Sequence, residues 1–494
     1  MRPLLSEGLP YVPATYFLRQ MTVPERRLWF FLAAVLWTSL AWTAWSVVFP
    51  PGKTYELTEE TPFTVAVQKI TRLNRTFVVE AQAATAVPSF GAQAVLPSDA
   101  SLIAFVVLLA VGWAALTAAT SHLAGPYAYV FYFMFCVGIY QSELARWVGG
   151  TVGDWREKAV ALGFMLLYLA PAYAFRSRLW VKSLRFQFVF WLAWMGMWYG
   201  VQAAAGGGPA LHRAAAYPML SYVGLLILAA LFVSKDLLHA VVMTFNNLPD
   251  PKRRRSAAWI FGTCALVIVA LSLAYLRAYL ILPEAEGFSL RPLWFFVFAA
   301  GLTPVLSQNF YRPFQGYFSS PLGFSMLIVG GATVPAAAWG YYAAAGEWVY
   351  VREAERLVAT VFLVAATVQF FYLLVNYGGD IQRKKNVYFV LPLSKTNFPF
   401  AAVWFAAAAV LIVQSGRQNW HNFYGFYVSM LNQYADEAWK KGEIDQALLW
   451  YEQATEYHMA DPKSNHNWAT LSAGTVELLE DEETMDKIEE RFAE

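Results

Sequence analysis

Four carboxylates stand out as residues that could do chemistry together. Glu59 and Glu60 lie between the first two apolar stretches of the chain, Glu143 at the outer end of the third and Asp154 between the third and fourth. Carboxylates so placed could act as a general base toward an attacking hydroxyl. Other reactive types offer less. The six histidines, at 122, 212, 239, 421, 458 and 466, form no HExxH pattern, and the nearest approach to a zinc pair is His458 with His466. Cys136 and Cys264 fall inside apolar stretches with no CxxC, and read as small buried apolar residues. Gly206-Gly207-Gly208 lacks the following strand–helix signature of a phosphate loop and reads as a flexible link. Neither a metal nor a cofactor is expected.

The elements that would position these residues are membrane spans. Charged residues are 14% of the 494 and hydrophobic residues 58%, against about a quarter charged in a soluble domain, so much of the surface must face lipid. Eleven stretches are long enough to cross a bilayer as helices, near 28–49, 101–121, 126–145, 158–175, 186–204, 216–234, 257–280, 292–307, 321–345, 355–377 and 397–414. The first is too long for the apolar core of a signal peptide and reads as a span. The span centres carry almost no charge; Glu143, Lys235 and Arg277 are expected near helix ends, which argues against an ion-coupled carrier. Pro171, Gly330-Gly331 and Pro335 are candidate helix breaks of the kind that frame transport sites. Lys235–Leu248 is expected to lie along the inner surface as an amphipathic segment.

Loop charge sets the orientation. Arg26-Arg27, Arg176-Ser177-Arg178, Lys252-Arg253-Arg254-Arg255 and Arg383-Lys384-Lys385 all fall on one side when every span is counted. Basic clusters mark the cytoplasmic side, so the N-terminus is expected inside and, after eleven crossings, the C-terminus outside. The outer segment 50–100 holds Pro62–Lys69 and Thr76–Gln82, rich in Val, Phe and Thr, around Leu73-Asn74-Arg75, and predicts a small β-hairpin. Basic residues scattered among loops, with no soluble basic face, argue against nucleic-acid binding.

The chain changes character after the last stretch. Residues 1–417 hold 31 Lys and Arg against 18 Asp and Glu, whereas 418–494 hold 5 against 16. This acidic tail has Tyr434-Ala435 and Ala438, Gly442, Ala447, Tyr451 and Ala454, then Pro462. In that spacing it resembles a tetratricopeptide repeat, with small residues letting two helices approach and aromatics filling between them. The proline comes three residues later than the repeat's pattern, at 462 where Met459 would carry it. A second helix pair is expected in Asn467–Leu479 and Glu482–Phe492. The resemblance implies a protein-binding surface, for which Trp439, Trp450, Tyr457 and Trp468 are the candidate contacts, with packing between helices as their alternative role. A unit this short must lean on the membrane body, a second copy or a partner.

The expectation is therefore an all-α polytopic transmembrane bundle of about eleven spans, N-terminus in and C-terminus out. It comprises a cytoplasmic segment 1–27, a membrane domain 28–414 with the extracytoplasmic loop 50–100, and a repeat-like domain 415–494. Its expected role is that of a bacterial inner-membrane scaffold or assembly subunit, binding a protein partner or itself through residues 422–494. Two alternatives stand beside it. Acids in the first and second outer loops, with repeats after the last span, are an arrangement that resembles membrane glycosyltransferases using lipid-linked sugars; Glu59, Glu60, Glu143 and Asp154 would then be the catalytic candidates. This chain lacks the paired acids those enzymes carry just past the first span. A lipid or polymer transporter would instead line a cavity around Pro171 and Pro335.

Overall fold

The computed structural model describes residues 21–48, 56–57, 61–72, 75–85, 88–89, 99–123, 127–141, 155–177, 183–246, 250–279, 291–302, 321–385, 420–457 and 461–476. In chain order the helices are α1 (Val23–Val48), α2 (Asp99–Thr120), α3 (Tyr127–Gln141), α4 (Trp155–Arg176), α5 (Leu184–Ala216), α6 (Met219–Asn246) and α7 (Ala257–Tyr279). They continue with α8 (Pro292–Leu302), α9 (Pro321–Ala344), α10 (Trp348–Gln382), α11 (Trp420–Lys440), α12 (Ile444–Tyr457) and α13 (Pro462–Val476). Between α1 and α2 the backbone of Thr61–Arg72 pairs antiparallel with Arg75–Thr85, and Glu56–Leu57 pairs with Pro88–Ser89. Among the described residues, seven helical segments are long and apolar enough to cross a membrane, while α3 and α8 are shorter apolar helices. The stretch expected at 397–414 lies outside the described residues.

The chain divides into two compact units. One comprises Met1–Phe49 with Pro97–Met430, the other Pro50–Leu96 with Leu431–Glu494.

In the first unit, α9 is the buried centre, with 94% of its apolar window out of contact with the surface. Lipid tails are as apolar as leucine, so burial alone does not hold helices together there; close backbone approach and interhelical hydrogen bonds do. Both are present. A Cβ at Gly330 would stand 2.6 Å from the Gly112 carbonyl oxygen and 2.8 Å from the Leu116 nitrogen of α2. On another side of α9, the Ser39 hydroxyl of α1 donates to the Thr333 carbonyl (3.2 Å) and Thr43 to the Ala336 carbonyl (2.6 Å). These bonds bracket Pro335, where the helix lacks one amide donor. The candidate breaks at Gly330-Gly331 and Pro335 lie inside a continuous helix, with Gly330 packed on α2 and the carbonyls of Thr333 and Ala336 accepting bonds from α1. Pro171 likewise lies inside continuous α4.

Helices α4 and α7 lie at the periphery, each with 22% of its apolar window buried, and present Leu166, Leu167, Leu266 and Leu273 outward. Between α3, α4 and α5 an aromatic cluster forms around Tyr168, which is fully buried and shares a 3.2 Å hydrogen bond with Thr117.

Two local expectations fail. Gly206-Gly207-Gly208 is part of α5, which continues to Ala216; Gly207 takes φ +63° and Pro209 follows without breaking the helix. Only glycine adopts that φ at little cost, and the run sits inside one helix rather than linking two. Nor is Lys235–Leu248 a separate surface segment. α6 runs unbroken to Asn246 because no glycine or proline lies between Gly224 and Pro249, and Lys235 falls in its interior.

Candidate functional site

Glu59, Glu60, Glu143 and Asp154 all lie outside the described residues, as does His458. Among the described residues, two groupings of buried polar side chains stand at the start of α10 and in the tail.

At the first of these, a tight turn joins α9 to α10. Gly346 takes φ +73° and the Glu347 amide donates to the Tyr342 carbonyl at 3.0 Å, the six-to-one bond of a Schellman ending. That turn starts α10 at Trp348, seven residues before the expected span, and so places Arg352, Glu353, Glu355 and Arg356 in its first turns. Glu353 is 1% exposed. Its Oε1 holds the Arg356 guanidinium at 2.6 Å, with Arg352 at 3.8 Å, while Oε2 has no hydrogen-bond partner among the described residues. Glu355 pairs with Arg291, just before α8, at 2.8 Å, and Arg356 Nε donates to the Ala278 carbonyl of α7 at 2.9 Å. These charges tie α7, α8 and α10 together at one end of the body.

The first half of α11 belongs to the same unit and packs here. A Cβ on Gly425 would fall on Glu353 Cγ, well inside contact distance, and would stand 3.0 Å from Val349 Cγ1. One residue on, Phe426 is buried edge-on to Tyr350 at 5.1 Å, and Tyr350 stacks on Tyr342 at 4.1 Å. Gly425 thus lets this helix approach a buried ion pair that a larger residue would hold off. A buried pair of this kind is weak evidence of stability, yet removing one partner is costly.

The tail is built on α11, α12 and α13. Gly442, at φ +78°, ends α11, and the Glu443 amide donates to the Ala438 carbonyl at 3.0 Å. Ala435, Ala438, Ala447 and Tyr451 are buried between the helices. Beside this apolar seam runs a polar core. The Tyr451 hydroxyl donates to Asp436 Oδ1, and the Lys463 ammonium stands 2.6 Å from Asp436 Oδ2. Asn467 donates to the Tyr451 oxygen at 3.0 Å. Asp461 accepts from Asn432 Nδ2 at 2.8 Å and from the Ser464 hydroxyl and its amide, while the Ser464 hydroxyl also lies 2.8 Å from Asn432 Oδ1. Asn432, Asp436, Tyr451, Asp461, Ser464 and Asn467 are all buried. Such groups are tolerable inside a protein when they satisfy one another, and they then specify one arrangement of the helices.

Of the predicted contact residues, Trp439, Trp450 and Trp468 are partly buried and packed against the tail's apolar seam, whereas Tyr457 is exposed. The sequence reading missed the polar core. One signal for it was present: Asp461-Pro462 is an N-cap followed by a proline in the first helical position. It starts α13 at Pro462, five residues before the helix expected from Asn467.

The fold defines a multi-pass helical membrane protein joined to a small helical tail. No family model matches the chain, and neither a curated protein nor a solved structure does.

Proposed function

We propose that this chain is a scaffold or assembly subunit of a bacterial inner membrane, which holds a protein partner through a periplasmic, tetratricopeptide-like tail. The observation that carries this reading is the buried polar core of α11–α13. It makes the tail a specified module rather than a loose extension, and stacked helical hairpins are a known source of protein-binding surfaces. Exposed Leu449 and Tyr457 on α12 supply apolar contact area.

The proposed sidedness has two supports. Arg254 Nη1 donates to the Lys384 carbonyl at 2.6 Å and Asn246 to the Lys385 carbonyl at 3.0 Å, so two of the basic loops share one end of the body. That end is assigned to the cytoplasm. The second compact unit also groups residues 50–96 with 431–494. That unit holds no candidate membrane span among its described residues, and segments of such a unit occupy one side of a bilayer, which fits an N-terminus inside, an external β-hairpin and a tail outside. On this reading the chain crosses the membrane eleven times.

The test is affinity purification in mild detergent of the full chain and of a chain ending at Met430. Proteins that co-purify with the full chain and are lost with the shorter one support the proposal. An unchanged set of co-purifying proteins refutes docking through the tail.

A further inference from the structure

We infer that the loops 250–256 and 383–385 form one recognition platform for the phosphate headgroups of anionic lipids. Lys252-Arg253-Arg254-Arg255 and Arg383-Lys384-Lys385 are far apart in sequence but laced together, with Arg254 acting as the strut through its bond to the Lys384 carbonyl. The first loop is shaped by Asp250, whose carboxylate accepts from the Lys252 amide at 2.9 Å, and its Arg255 amide reaches the Phe245 carbonyl. Two carboxylates offset part of the charge: Asp250 lies 3.8 Å from Arg253, and Asp380 lies 2.9 Å from Lys385. Lys252, Arg383 and Lys384 are exposed and have no carboxylate partner among the described residues.

Two further observations point to a lipid. The Arg255 guanidinium sits 5.8 Å from the ring of Trp259, which is 61% exposed on the outer face of α7. Trp259 lies in the first turn of the apolar helix α7, and tryptophans are enriched where membrane helices meet the headgroups, so the platform fits the level of lipid phosphates. The second observation is Lys384 itself. The Schellman endings of α9 and α11 use Gly346 and Gly442 at the left-handed position, but at the end of α10 this position is Lys384, at φ 55°. A left-handed lysine is conformationally unfavourable, and here it adds a cation to the platform. Clusters of four to eight basic residues beside a span bind anionic headgroups, each cation contributing about five-fold in affinity. This inference holds for either orientation of the chain.

The test uses the full chain in neutral detergent, titrated with short-chain phosphatidylglycerol, short-chain phosphatidylcholine and inorganic phosphate, with bound molecules counted by native mass spectrometry. Phosphatidylglycerol should bind and phosphatidylcholine should not. Lys252→Gln/Arg383→Gln/Lys384→Gln should weaken binding by roughly 10- to 100-fold. The control Arg27→Gln/Lys158→Gln/Arg185→Gln removes equal charge elsewhere and should change it less than about two-fold. Lys384→Gly, which relieves the backbone, should raise the melting temperature while lowering lipid affinity about five-fold. Equal losses in both triple variants would overturn the inference, as would phosphatidylcholine binding as well as phosphatidylglycerol. So would inorganic phosphate binding as tightly as the lipid, since the ligand would then be a soluble anion.

Discussion

Gly330 and Gly331 are neighbours in one helix, and the structure assigns them opposite tolerances. A Cβ at Gly330 would meet the Gly112 oxygen at 2.6 Å and the Leu116 nitrogen at 2.8 Å. Ordinary carbon–oxygen contacts begin near 3.3 Å, so the overlap is roughly 0.7 Å. Both obstacles are backbone of α2, and neither can rotate away as a side chain would. Gly330→Ala must therefore push α9 from α2, an overpacking that costs about 2–3 kcal/mol. At Gly331 the nearest atom is Leu116 Cδ1 at 3.9 Å, an ordinary contact. Gly331→Ala should be neutral, or stabilising by up to about 1 kcal/mol through helix propensity. Thermal unfolding of the purified chain in detergent separates the two. With about 2–4 °C per kcal/mol, Gly330→Ala should melt roughly 4–12 °C lower and Gly331→Ala at or slightly above the parent temperature. Equal, small effects at both positions would refute the packing argument and return the pair to the role of a hinge.

Gly425→Ala places a methyl on Glu353 Cγ and should destabilise the body by about 1–3 kcal/mol, read as a lower melting temperature with faster proteolysis within 420–430. Glu353→Ala leaves Arg356 without its buried partner and should cost about 3 kcal/mol, while Glu353→Gln, which keeps the shape and one hydrogen bond, should cost less; equal losses would argue against a charge pair. Asp461→Ala removes the cap of α13 and the acceptor of Asn432, for about 1–3 kcal/mol. Amide hydrogen exchange of the full chain should then quicken in 462–476, with residues 99–120 unaffected.

What could be read from sequence follows how local each feature is. The apolar stretches at 28–49, 101–121 and 257–280 each have a helix over them, because helix length and apolarity are properties of consecutive residues. Gly442 was recognisable as the turn between α11 and α12, and the small residues Ala435 and Ala447 as the seam between them. Gly206-Gly207-Gly208 reads as a link because composition does not distinguish a glycine run between helices from one inside a helix. Glu353 was missed for a related reason. A charge just outside an apolar window is normally solvated, and only the Gly346 turn and the approach of Gly425 bury it.

By itself, then, the sequence determined a multi-pass helical membrane protein with a compositionally distinct helical tail. Helix formation in lipid is compelled by the chain's own unsatisfied backbone groups, and needs no knowledge of neighbours. The tertiary structure alone decided which glycines must stay glycine, which carboxylates lose water, and that residues 252–255 meet 383–385. Contact, desolvation and charge clustering belong to pairs of segments distant in sequence, and pairing becomes definite only when the helices have packed.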